Sequence, residues 1–438
     1  MNNLIAIIRK WVKKIPGAEQ TYLRYHYVKY LKELREQAPI GKGIRVLVIN
    51  HHFDQDIEAL VNGCSEHCSF FVVKCMPFFN QALRFFRNNN ERDGLIPYSD
   101  LPKNITNEYR KLCRLLFNDL YSIFPFSVVI MPSDSFWWIR EFLDVVREDG
   151  IKCIVLDKEG TITPYSFEVH SEHIRVRFPF MSDYLLVWSE RQKKFWKKAG
   201  APENVIKVVG QPRSDFFFQE HRWKTRKALG LSEYKKIILF FTFDVDAYIN
   251  VFPEEEIKRE GYSWIALRNE INSVLLGFAK RNPDICIVIK VHPQQSDINY
   301  VRQLIKEINL PNFRLAEGAA ISSQLIVNSD LIIGFQTTAL IEAMLTRKPV
   351  FYAAWGTTEE KLREELIPFH KTCGLDRIAS PGELNDKLNL WSKGLQVGGD
   401  ITQRKAFTDP YLNADGHVCK RISMELLKIA GLMNEAVL

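Results

Sequence analysis

Three short stretches set acid–base and phosphate-handling side chains at the ends of apolar runs. The first, Asp157-Lys-Glu-Gly160-Thr-Ile-Thr-Pro164, follows the apolar run Lys152 to Leu156. A carboxylate released at the end of a buried strand can take a proton from an acceptor hydroxyl. Glu159 is therefore the candidate general base, with Asp157 as its partner or, in a double displacement, the nucleophile. Gly160 lets the backbone approach a substrate closely. The second stretch, Ile285 to Val291, is a nearly continuous apolar run ending in His292-Pro293. Proline disfavours a helical conformation for His292 and fixes the chain's exit, so the imidazole is held extended where it can donate to a phosphate or protonate a leaving group. In the third, Leu331, Ile332 and Ile333 form a buried-strand run and Gly334 permits a tight turn. Gln336, Thr337 and Thr338 then make a polar turn whose threonines can cap a helix with free N–H groups facing an anion. Glu342 sits on that helix within reach of a ribose.

Rigid elements must stand behind these side chains, and strand and helix signals alternate along the chain. Ile44 to Ile49 is a first strand, and His51, His52 and Asp54 form a polar loop at its carboxyl end, suited to an acceptor. Cys68 to Met76 repeats the strand signal, helical periodicity covers Glu108 to Leu120, and Ser127 to Met131 is a further strand. A helix capped by Ser133 or Asp134 runs to the stop signal Asp149-Gly150. Lys152 to Leu156 and Val205 to Val209 complete the strands of the first half. A basic helix, Arg222 to Leu229, is expected to lead across to a second sheet that opens with Lys236 to Thr242. Such alternation predicts an α/β fold of two Rossmann-like domains with parallel sheets covered on both faces. The expected divisions are an arm over residues 1–40, an acceptor-side domain over 41–218, a donor-side domain over 219–415 and a crossover helix in 416–438.

At 438 residues the chain is too long for one ordinary core. An apolar share of 46% with 25% charged residues excludes wholesale disorder. Eight scattered cysteines without paired ligand spacing suit a reducing compartment better than a disulfide framework or a zinc site. The net charge of +7 fits a membrane surface or anionic substrates, and no zinc-finger or RNP signature points to nucleic acid. Leu4, Ile5, Ile8, Trp11, Val12 and Ile15 recur at helical spacing, with Arg9, Lys10, Lys13 and Lys14 on other faces. That pattern predicts an interfacial helix over residues 1–18 lying on an anionic membrane.

Gly210-Gln-Pro-Arg213-Ser-Asp215 resembles the Gly-Asn-Pro-Arg-x-Asp box of bacterial surface-carbohydrate biosynthesis proteins, whose Asp-x-Glu-Gly box is matched by Asp157, Glu159 and Gly160. The His292-Pro293 and Thr337-Thr338 elements resemble those of GT-B capsule enzymes, among them polysialyltransferases, Kdo transferases and CDP-glycerol glycerophosphotransferases. The resemblance covers roughly residues 44 to 430. It implies a GT-B glycosyltransferase of capsule or lipopolysaccharide assembly, cytoplasmic and peripheral on the inner face of the membrane. Such an enzyme moves a sugar from a CMP- or CDP-linked donor to a glycan or lipid-linked acceptor. It further implies Glu159 as base, His292 on the donor phosphate and Arg213 among the donor contacts. No cofactor is expected. Asp244-Val-Asp246 could hold a divalent metal, but it follows the first strand of a Rossmann-like domain in a fold that requires none. Lys158 stands where the family has an acidic residue, Gln211 replaces Asn, and the threonine pair replaces two serines. A UDP-sugar transferase or UDP-sugar 2-epimerase of the same fold is one alternative, and a non-catalytic nucleotide-sugar-binding scaffold is another.

Overall fold

A computed structural model describes residues 33, 43–51, 53–74, 103–249, 252–292, 298–316 and 322–433. The expected arm and its interfacial helix, as well as His52 and Pro293, lie outside these residues, Glu33 excepted.

The apolar runs become strands because both their faces are covered. In the first half, β1 (Ile44–Asn50) leads to α1 (Asp54–Gly63), β2 (Cys68–Lys74), α2 (Lys103–Ile123), β3 (Val128–Met131) and α3 (Trp137–Glu148). There follow β4 (Lys152–Leu156), α4 (Pro164–Arg177), β5 (Tyr184–Val187), α5 (Glu190–Lys198) and β6 (Ile206–Val208). All pair in parallel in the order β2-β1-β3-β4-β5-β6. The order reverses between β1 and β3, and ligands of such sheets bind outside the carboxyl ends of the strands at that point.

The second half repeats the plan. It runs β7 (Lys236–Phe241), α6 (Glu254–Glu260), α7 (Ile265–Arg281), β8 (Ile285–Lys290), α8 (Ile298–Ile308), β9 (Phe313–Ala316), α9 (Ser322–Asn328) and β10 (Leu331–Gly334). It continues with α10 (Thr338–Ala343), β11 (Val350–Ala353), α11 (Thr357–Leu362), β12 (Asp376–Ile378), α12 (Pro381–Ser392) and α13 (Arg404–Leu412). The parallel order β12-β11-β10-β7-β8-β9 puts its switch point between β7 and β10, so the ends of β7, β8 and β10 share one crevice.

The last helix, α14 (Val418–Ile429), returns to the first half. Val418, Cys419, Ile422 and Leu426 form its apolar stripe and pack with Ile57, Leu60, Val46 and Val48. Its first turn is capped from a distance: Asp215 accepts from Val418 N at 3.0 Å and Cys419 N at 2.8 Å. The chain thus passes between the two halves twice, and the passages touch. Gln211 N donates to Leu412 O at 2.8 Å, and Arg421 donates to Val209 O at 2.8 Å and Asn413 O at 3.2 Å. Gly210, at φ +98°, is required there, since a Cβ would lie 2.6 Å from Asn413 O.

Two local expectations fail for the same reason. Ser133 and Asp134 do not cap α3, which begins at Trp137 after Phe136 with no side-chain cap. Asp134 is fully buried, and its Oδ2 accepts from Met181 N, Ser182 N and Ser182 Oγ, each at 2.9 Å. The stretch Arg222 to Leu229 is not a helix but two short 3-10 turns, Glu220–Arg222 and Lys227–Leu229. Its backbone is taken by the second half: Gln324 bonds Lys224 N and Arg222 O, while Arg226 grips Asp330 at 2.7 Å and Asn328 O at 3.0 Å. In both places tertiary partners outbid local propensity.

Candidate active site

The β4 loop is shaped by a buried carboxylate. Asp157 Oδ1 accepts from Glu159 N at 3.0 Å and Oδ2 from Trp196 Nε1 at 2.5 Å. Burial pushes the Asp157 carboxyl up to about 6, opposed by those two hydrogen bonds. Both oxygens are committed, so the geometry makes Asp157 the residue that folds the turn. Gly160 is flat against the next strand's end, where a Cβ would stand 1.9 Å from the Trp188 ring. Between them Glu159 is turned outward, its side chain 81% exposed, with Lys158 Nζ at 3.7 Å. Lys158 also donates to His51 O at 3.4 Å, tying the β4 loop to the β1 loop across the switch point. The His51 ring meets Phe136 and Trp138 edge-on at 4.9 and 5.9 Å. Asp54 is exposed and accepts from Asn50 Nδ2 at 2.7 Å.

Across the cleft, β7 and β8 deliver Asp244 and His292. Burial lowers the imidazole's pKa below the ordinary histidine value, the Asp244 and Glu159 carboxylates pull it back up, and the Lys290 ammonium adds to the lowering. The charges of Glu159 from one sheet and Asp244 from the other are thus both felt at His292. Tyr248 shares this space. It is half-buried in a left-handed backbone conformation at φ +61°, and burial together with the Glu159 charge pushes its phenol up to about 12. Asp246 is exposed, and among the described residues no three His, Cys, Asp or Glu side chains gather as a metal site.

At the end of β10, Thr337 caps α10 by accepting from Ala339 N at 3.3 Å. That helix has six residues, so what it offers an anion is its first free N–H groups rather than a long helix's field. Thr338 Oγ1 meets Thr161 Oγ1 at 2.6 Å, joining the turn to the β4 loop of the other half. Gln336 requires a correction. Its amide is buried, donating to Tyr352 Oη at 2.7 Å and Ile367 O at 3.2 Å and accepting from Ile367 N at 2.9 Å, so it braces the turn from inside instead of facing a donor.

Arg213 and Glu342 are brought together rather than spread along a ligand. Arg213 Nε donates to Glu342 Oε1 at 2.8 Å and its NH1 to Asp56 Oδ2 at 2.8 Å, while the guanidinium lies over the Trp188 ring at 5.0 Å. Gln211 Nε2 donates to the same Glu342 oxygen at 2.9 Å. Every donor bond of Arg213 that the geometry shows is thus spent on a clamp between the halves, which corrects its placement among donor contacts. Burial alone would lower its pKa, and the Asp56 and Glu342 charges override that and hold it above the ordinary value. Thr161 and Asp56 were not singled out from the sequence, although Thr161 directly follows Gly160; Lys158 stood out there only as a departure from the acidic box, not as a tie between loops.

A groove of about 1200 Å³ runs along the seam beside Pro164, Arg191, Glu365 and Asp409. It contains none of Glu159, Asp244 and His292, so volume alone does not mark the chemical site here.

Residues 161–428 match the model of the family described as CDP-glycerol:poly(glycerophosphate) glycerophosphotransferase. The chain belongs to that family. Asp157 and Glu159 lie just ahead of the matched span, and His292, Thr337 and Thr338 lie within it. A curated relative, the teichoic acid glycerol-phosphate primase of Bacillus subtilis (strain 168), is 22% identical over 254 residues. That alignment takes in 54% of this chain and 58% of the primase, so the chain spans little more than half of that relative's length. Among solved structures, the wall teichoic acid polymerase TagF is 12% identical with a TM-score of 0.50, over 95% of this chain and 99% of TagF. The UDP-GlcNAc 2-epimerase of Methanocaldococcus jannaschii is 13% identical with a TM-score of 0.54, over 88% of this chain and all of the epimerase. These likenesses establish the two-domain GT-B fold for this glycerophosphotransferase family member. Among its described residues no helix is long and apolar enough to cross a membrane.

Proposed function

We propose that the chain transfers glycerol phosphate from CDP-glycerol to a hydroxyl of a surface-polymer acceptor, in the cleft between its sheets. Family membership narrows the expected group from a sugar to glycerophosphate. What supports the chemistry is that Glu159 follows β4 and His292 follows β8, each at the carboxyl edge of its sheet, while the 2.6 Å contact of Thr161 Oγ1 with Thr338 Oγ1 draws the two halves together beside them. Glu159 takes the acceptor's proton as its oxygen bonds to the glycerol-bearing phosphorus. The P–O bond to CMP breaks, and His292 donates to the departing CMP phosphate. Thr337 and the first N–H groups of α10 hold the donor phosphates. No metal takes part.

A thermal-shift panel of CMP, CDP, UMP, UDP and GDP tests this, because a ligand that binds only the folded state raises its stability. Cytidine nucleotides are expected to shift the midpoint, and CMP release from CDP-glycerol is expected to survive EDTA. A uridine-specific shift would favour the epimerase-like alternative, with which the chain shares its fold. No shift with any nucleotide would remove the donor site altogether.

The acceptor is placed at a membrane surface in this proposal, through the basic amphipathic pattern of residues 1–18 on the inner face of the cytoplasmic membrane. Deleting residues 1–18 is expected to move the protein from the membrane to the soluble fraction; unchanged partitioning would end that idea.

A further inference from the structure

Lys290 closes β8 with only 9% of its surface exposed. A lysine that deep is ordinarily paired, because an unpaired buried charge is costly. Here Nζ makes one long hydrogen bond, to Val291 O at 3.3 Å, and among the described residues no carboxylate pairs with it. Two other cations in the interior are better provided for. Arg213 has two carboxylates, and Arg404 donates to three carbonyls, Gly374 O and Thr346 O at 2.7 Å and Gly398 O at 2.9 Å. Burial accordingly lowers the pKa of Lys290, and no carboxylate among the described residues restores it.

Its position gives the reason. Strand side chains alternate faces, so Lys290 and His292, two residues apart in extended chain, lie on the same side. The Lys290 charge is felt by the His292 ring, whereas the acidic residues felt at His292 leave Lys290 uncompensated.

We propose that Lys290 is an anion-binding residue of the cleft, its ammonium receiving the diphosphate of a nucleoside-diphosphate-linked donor beside His292. This rests on the reading of the cleft as the donor site. The counter-charge that the described residues do not provide is then the ligand's own phosphate, and no nucleobase or sugar contact is asked of Lys290.

Calorimetric titration of CDP and of cytidine into the full chain, with Lys290→Met and Lys290→Gln variants, tests the assignment. The wild type is expected to bind CDP, and both variants to bind it about 10- to 100-fold more weakly, the worth of a charge-assisted hydrogen bond. Cytidine affinity should be unchanged. The melting temperature should stay level or rise, since an uncompensated buried ammonium is removed. Unchanged CDP affinity in a folded variant would overturn the assignment, as would equal weakening of CDP and cytidine together with a lower melting temperature, the signature of a structural lysine. A wild type that binds neither CDP nor any other nucleotide would overturn the cleft reading itself, and the assignment with it.

Discussion

Replacing His292 with alanine is expected to slow CMP release from CDP-glycerol about 100- to 10,000-fold, the usual worth of a positioned acid–base group. Stability should hardly change, because the residue lies past the end of β8 rather than in the core. The direction of its titration supplies a second check. Burial lowers its pKa below the ordinary histidine value, which favours the neutral imidazole in the free protein. Asp244 and Glu159 both favour the charged ring, so Asp244→Asn or Glu159→Gln should move the His292 titration to still lower pH. NMR of the imidazole would show this. An upward movement would mean that the carboxylates are not felt at the ring, and a His292→Ala protein of full activity would remove the proposed role.

Arg213→Met is expected to cost about 3–5 kcal/mol of stability, far more than an exposed substitution, because it strands two buried carboxylates without their shared cation. Asp56 and Glu342 are 2% and 4% exposed, so neither can turn to water for compensation. Adding Asp56→Asn and Glu342→Gln to the Arg213 variant should recover much of the loss, since the penalty lies in the unpaired charges more than in the missing contact. Chemical denaturation of the three proteins measures it. A loss below about 1 kcal/mol for the single variant, the range of an exposed ion pair, would mean that the clamp contributes no more than a surface contact.

Most strands of the first half were legible because they are short apolar runs cut off by glycine or polar residues, whereas β5 (Tyr184–Val187) was not read. Lys152 to Leu156 is β4 residue for residue, and Ile44 to Ile49 falls one residue short of β1. What stayed hidden depends on partners far apart in sequence. Nothing near Arg213 announces Asp56, 157 residues away, and nothing near Thr161 announces Thr338, 177 residues away. Asp134 was misread for the same reason: its sequence neighbourhood says cap, and its tertiary neighbourhood makes it the anchor of the Met181–Ser182 backbone. Gln336 stands in a polar turn and still faces inward, because Ile367 and Tyr352 offer it partners that the sequence does not display. Lys290 did carry a visible signal, a charge inside an otherwise apolar strand. Such a breach of local rules belongs at a functional position.

The two passages of the chain between the halves lie side by side, laced by Gln211 N to Leu412 O and by Arg421 to Val209 O and Asn413 O. Mechanically this is a book spine with two threads instead of one. A single thread would let the covers twist, slide and swing, whereas two adjacent stitched threads leave rotation about their shared line as the cheap motion. The lips of the cleft can then part and meet along one arc, so that Glu159 and His292 come back into the same register each time the covers close.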